Sequence, residues 1–136
     1  VSPETFVGGC LCGAVRFEAI GPAENLCFCH CASCRRAAGA SPVAWATFAK
    51  ARFRIAFGAL ALVKSSPPVE RGFCGSCGSS LTYTHAARPD ALDVTLASLD
   101  APAVLRPQYH IWVSDRVDWA PLADGLPQHA GWRSEG

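Results

Sequence analysis

A chain of 136 residues, half of them hydrophobic, with eight cysteines and a formal charge of +1, is long enough to bury a real core. No apolar run approaches the ~20 residues that a membrane-spanning helix needs. Without a basic block, neither a nucleic-acid nor a membrane partner is expected.

The size predicts a single domain over residues 1–136, and Val1-Ser2-Pro3 opens without the charged and apolar regions of a secretory leader. Short strands separated by Gly and Pro are predicted from there on. Cys10-Leu11-Cys12 reads as a curved strand that aims two thiolates to one side, because side chains alternate with period two. After Gly13, the residues Val15, Phe17 and Ala19 alternate with Arg16 and Glu18 as a half-buried strand. Residues 33–38 form the one good helix candidate, ended by Gly39 as a left-handed cap. Segments 43–48 and 53–57 are rich in aromatic and apolar residues and read as adjacent strands. Residues 60–63 continue the meander up to the turn Ser65-Ser66-Pro67-Pro68. Leu81 and Tyr83, then Leu92, Val94 and Leu96, mark two more strands, and 109–113 the last one. Residues 100–107 and the tail from Pro121 read as ordered coil. The expected architecture is mainly β and pinned by metal.

Seven of the eight cysteines lie in three tight groups: Cys10-Leu11-Cys12, Cys29-His30-Cys31-Ala32-Ser33-Cys34 and Cys74-Gly75-Ser76-Cys77-Gly78. Zinc with four thiolates needs sulfurs that crowd around bonds of about 2.3 Å. The first and third groups together supply four, which makes a closed, structural site of Cys10, Cys12, Cys74 and Cys77. The middle group supplies Cys29, Cys31 and Cys34, and three protein ligands with one open position describe a catalytic zinc. A disulfide scaffold is the competing reading. Pairing within Cys-x-Cys would close a strained ring, and a chain of this length does not need such staples, so a reducing, cytoplasmic compartment is expected.

Cys27 could close the middle site as a fourth ligand. On an extended strand, however, it would stand about 13 Å from Cys31, too far for a shared metal, and it is expected to be a buried thiol or a redox partner instead. The side chain of His30 should point away from the face that holds Cys29 and Cys31. Arg35 and Arg36 follow Cys34 directly and could offset the charge of a tri-thiolate zinc or hold a substrate carboxylate. Two solvated helix arginines are the plainer alternative. His110, Trp112 and Trp119 are read as packing around a late strand.

The succession Gly9-Cys10-Leu11-Cys12-Gly13, then residues 29–40 from Cys29-His30-Cys31 to Gly39-Ala40, then Arg71-Gly72-Phe73-Cys74-Gly75-Ser76-Cys77-Gly78 resembles the glutathione-dependent formaldehyde-activating enzyme family, which includes centromere protein V. Ser65-Ser66-Pro67, His110-Ile111-Trp112 and residues 119–127 are similar too, so the likeness runs from about residue 6 to residue 128. The resemblance implies a β-tent fold of antiparallel sheets around a structural zinc, held by Cys10, Cys12, Cys74 and Cys77. It also implies a second, catalytic zinc at Cys29, Cys31 and Cys34. The implied reaction joins glutathione and formaldehyde into S-hydroxymethylglutathione, a carbon–sulfur lyase reaction run backwards, with glutathione as cosubstrate. The expected partner is a small thiol or aldehyde, and no oligomeric state follows from the sequence. A zinc-stabilised binding module without catalysis and a redox or metal sensor built on Cys27 are the other readings.

Overall fold

Alternation along each strand decides what faces what. The computed structural model describes residues 4–132. Ten strands form in chain order: β1 (Thr5–Gly9), β2 (Arg16–Ile20), β3 (Glu24–Cys29), β4 (Val43–Ala49), β5 (Phe53–Phe57), β6 (Ala61–Ser66), β7 (Val69–Phe73), β8 (Ser80–His85), β9 (Ala91–Thr95) and β10 (Tyr109–Ile111). The helix α1 (Ala32–Ala38) lies between β3 and β4. A three-stranded sheet has the order β1-β2-β5, and a seven-stranded sheet the order β10-β3-β4-β9-β8-β7-β6. The protein is mainly β with one α-helix, as expected. Its pairings are antiparallel except for β10, which runs parallel to β3.

Strand β4 shows why both faces of the large sheet are covered. Its Ala46 and Phe48 join one apolar cluster with Phe6, Phe17 and Ala19 of the small sheet, while Val43 and Trp45 join another with Cys27, Cys29 and Ile111. The first cluster is the core between the sheets, where the Phe6 and Phe48 rings lie 5.8 Å apart. Such a strand reads as a nearly continuous apolar run instead of a clean alternation. The second cluster lies on the opposite face of the large sheet and underlies a cavity. Register lines that face up: Tyr109 pairs Cys27, Cys27 pairs Trp45, Thr47 pairs Asp93, Asp93 pairs Tyr83 and Tyr83 pairs Arg71.

Several elements differ from the sequence reading. Cys10-Leu11-Cys12 stands in the turn between β1 and β2 and not on a strand. The physical reason is local, since the Val15 N–H donates to Cys10 Sγ at 3.2 Å and Gly13 adopts φ +81°, which folds the chain back at once. Strand β9 ends at Thr95, and Leu96 opens a 3-10 turn (Leu96–Ser98). Strand β10 likewise ends at Ile111, two residues before the expected end, and a 3-10 turn (Val113–Asp115) follows. Within the predicted coil of 100–107 the chain makes a further 3-10 turn (Pro102–Val104). No helix among the described residues is long and apolar enough to cross a membrane.

Candidate metal centres and the cavity beside them

The first sulfur group brings the two sheets together. Cys10 and Cys12 come from the β1–β2 turn of the small sheet, and Cys74 and Cys77 from the β7–β8 turn of the large one. Their four sulfurs lie within 4.8 Å of one another. Cys10 Sγ stands 3.7 Å from Cys12 Sγ, and Cys12 Sγ 3.8 Å from Cys74 Sγ. A tetrahedron with 2.3 Å bonds has edges of about 3.8 Å, so this donor set fits zinc in both chemistry and spacing. Backbone and hydroxyl groups point at two of the sulfurs. Cys74 Sγ accepts the N–H groups of Ser76 and Cys77 at 3.4 Å each. The Ser79 hydroxyl accepts the Leu11 N–H at 3.0 Å and stands 3.1 Å from Cys77 Sγ, so its proton is available to that sulfur. The Cys77 thiol is accordingly lowered to about 5, first by the Ser79 side chain and then by its backbone.

The second group is built where β3 hands over to α1. Cys29 is the last residue of β3, Cys31 is the N-cap of the helix, and Cys34 lies in its first turn. An N-cap side chain accepts an orphan amide of the first turn, and here the Cys34 N–H donates to Cys31 Sγ at 3.3 Å. Gly39 closes the helix at φ +64°, its N–H returning to Arg35 O at 2.8 Å, so α1 is short and fixed at both ends. The three sulfurs lie within 4.8 Å of one another, a set that fits zinc by the same test. The Cys29 thiol, then the Cys34 thiol, donates toward Cys31 and pushes its pKa far down, while Cys29 is pushed far up. Cys27 is buried on the same strand face, lines the cavity, and lies outside the three-sulfur group.

Above this group opens a cavity of about 960 Å³, lined by Cys29, Cys31 and Cys34 and by the opposing strands. Of the two predicted arginines, Arg36 lines it; Arg35 is not among the lining residues. The guanidinium that meets the sulfurs belongs to Arg71 of β7. Only 9% of that residue is exposed. Its Nη1 and Nη2 each stand 3.9 Å from Cys34 Sγ, its Nε donates to Ser65 Oγ at 3.1 Å, and its plane lies 5.0 Å from the Tyr83 ring centre. Sequence reasoning gave Arg71 no role, although it begins the Arg-Gly-Phe-Cys stretch. Charge beside a cysteine was sought next to Cys34 in the chain, whereas the sheet delivers it from a strand 37 residues away.

Behind the sulfurs lies a buried chain of rings. His30 is fully buried and its Nε2 stands 2.8 Å from Nδ1 of His110, whose Nε2 stands 2.8 Å from Asp124 Oδ2. The carboxylate can only accept, so His110 donates through Nε2 to Asp124, and a single proton lies between its Nδ1 and His30 Nε2. Burial, then the charge of His110, lowers the His30 pKa and so favours the neutral imidazole. The imidazole is thus turned away from the sulfurs and ties the residue between Cys29 and Cys31 to the late strand. The backbone repeats the tie, with His30 N–H donating to Ile111 O at 3.0 Å.

Fold and site together define a mainly β protein with two cysteine clusters able to hold zinc, of which the three-sulfur one lines a cavity. The chain belongs to the glutathione-dependent formaldehyde-activating enzyme family, whose sequence profile matches residues 5–115. A Halomonas elongata protein that carries this family's name provisionally is 27% identical over 124 residues, covering 85% of this chain and 79% of its own length. A crystal structure of a Rhodobacter sphaeroides protein superposes with a TM-score of 0.58 at 29% identity, covering 69% of this chain and 87% of that one.

Proposed function

We propose that this chain is a carbon–sulfur lyase-type enzyme that makes or cleaves adducts between a thiol, glutathione or a related one, and a small aldehyde. The single observation that carries the reading is the convergence of Cys29, Cys31 and Cys34 on one cavity with a buried guanidinium against them. In this reading Cys10, Cys12, Cys74 and Cys77 hold a structural zinc, and Cys29, Cys31 and Cys34 hold a catalytic one. When bound there, zinc supplies a Lewis-acidic position at which an incoming thiol is kept as its thiolate. The remaining work falls to the chain. Arg71 faces the growing negative charge from the side of Cys34, in a site where few waters screen it. Arg36 at the cavity wall can meet a carboxylate of the substrate. In the forward sense the sulfur attacks the carbonyl carbon, one C–S bond forms, and the thiol proton ends on the carbonyl oxygen. No redox change occurs. Cysteines kept for metal suit a reducing, cytoplasmic compartment.

The test follows thiohemiacetal exchange by NMR with carbon-13 formaldehyde and glutathione. Zinc-loaded protein is expected to speed exchange between hydrated formaldehyde and the thiol adduct, and Cys31→Ser to lose that effect while keeping its melting transition. Equal exchange with the wild-type protein, with Cys31→Ser and with buffer would overturn the proposal.

A further inference from the structure

The cavity is far larger than a one-carbon aldehyde requires. Its volume of about 960 Å³ stands at the top of the range of small-molecule sites, roughly 300–1,000 Å³, so most of it must receive the body of the other reactant. Part of its wall is aromatic. Trp45 tilts against Tyr83 at 5.8 Å, and Trp112 meets Trp132 edge-on at 5.5 Å, with Ile111 also in the lining. Trp112 holds φ 55°, a left-handed conformation that bulky residues rarely adopt, and so the backbone is strained where this ring joins the wall. Trp132, also part of the lining, is 45% exposed. Large indoles left open to a cavity mark a site that gains by being covered with apolar surface.

The charges point the same way. The lining carries Arg36, Arg71 and Arg88 against Asp93 and Asp115, one positive charge in surplus, which three thiolates around a divalent cation would cancel. Two of those arginines are already engaged. Arg88 pairs with Asp93 at 2.9 Å, and Asp93 also accepts the Thr47 hydroxyl at 2.6 Å. Arg71 is spent on Cys34, Ser65 and Tyr83. Arg36 remains to meet one carboxylate. Glutathione would bring two carboxylates, an ammonium and two amides. Arg36 and Asp115 could each meet one charge. Asn25, Thr47, Ser65, Arg71, Arg88 and Asp93 already bond one another, so the second carboxylate would meet no free cation of the lining.

We infer that the thiol taken by this cavity has an apolar body about the size of an aromatic ring, in preference to a charged tripeptide. This rests on the reading of Cys29, Cys31 and Cys34 as the thiol-handling centre. The test is calorimetric titration of reduced, zinc-loaded protein with 2-phenylethanethiol and, separately, with glutathione. The aromatic thiol is expected to bind roughly tenfold tighter or better. Trp45→Ala should erase most of that margin by weakening the aromatic thiol alone. Because Trp45 is buried and the variant can fail to fold, Trp132→Ala, at an open position, provides the second reading and should narrow the margin in the same direction. Glutathione binding as tightly as 2-phenylethanethiol, or a margin untouched by both tryptophan variants, overturns the inference while leaving the thiol–aldehyde reaction standing. Failure of both thiols to bind overturns both.

Discussion

Burying a guanidinium without a carboxylate is costly unless another anion stands beside it, and Arg71 has only sulfur for that purpose. Among the described residues its contacts are Cys34, the Ser65 hydroxyl and the Tyr83 ring, and it appears in no ion pair with a carboxylate. The arrangement makes sense if the sulfur group is anionic in the working protein. Arg71→Gln keeps a polar group of moderate length but removes the charge. It is expected to slow thiol–aldehyde exchange by about 10²-fold, the scale seen when one preorganised charge-stabilising donor is lost. Arg71→Lys should recover part of the rate, since a point charge remains but the two-pronged approach to Cys34 does not. Exchange rates at matched zinc occupancy decide the matter. A rate for Arg71→Gln within twofold of wild type would show that the guanidinium merely fills space.

At the level of elements, the two sulfur groups differ in what hangs on them. The four-sulfur group joins turns of two different sheets, while the three-sulfur group is confined to one strand end and the helix that follows it. Cys74 is buried, 1% exposed, and accepts two backbone amides, so Cys74→Ser disturbs an organising acceptor as well as removing a sulfur from the group. We expect Cys74→Ser to lose the cooperative melt, and Cys31→Ser to keep it with the midpoint lowered by only a few degrees. Circular dichroism melts of the two zinc-loaded variants, side by side, test this, and equal damage would mean that both groups are structural. The same contrast explains what could be read from the chain. The three-sulfur group, each half of the four-sulfur group, the Gly39 cap and most strands were legible because local spacing specifies them, and the joining of the two halves followed from the number of sulfurs that a closed site needs. Strand β7 was not legible, since in Val69-Glu70-Arg71-Gly72-Phe73 a buried arginine stands where the alternation calls for an apolar residue. Strand β1 was missed for a similar reason, its last two residues being glycines that make room for neighbouring backbone. The parallel pairing of β10 with β3 had no local signature at all. Neither did the His30–His110–Asp124 chain, whose first two members stand 80 residues apart.

For the molecule as a whole, stability is partitioned between an apolar core and a knot of sulfur. The small sheet packs on the large one through Phe6, Phe17 and Ala19, and at the far end of β1 the Cys10–Cys12 turn meets the Cys74–Cys77 turn. A metal there would close a loop of 62 residues between Cys12 and Cys74. By the chain-entropy argument, a cross-link over such a loop removes about 4 kcal/mol of disorder from the unfolded state. That is comparable with a large part of the net stability of a domain, typically about 5–15 kcal/mol. A metal held by Cys29, Cys31 and Cys34 would close only a short local loop, and these three residues line the cavity, from which a chelator could reach it. Removal of metal should therefore occur in two stages. Mild chelation is expected to take one zinc per chain, abolish thiol binding and leave the far-ultraviolet spectrum unchanged. Stronger chelation should take the second zinc together with the β signal, in one cooperative loss, and zinc returned with reductant should restore both. Metal counted by native mass spectrometry against circular dichroism at each chelator concentration gives the order of events. Unfolding that accompanies the first zinc, or a fold that outlasts the second, would place the stabilising role elsewhere than in the knot between the sheets.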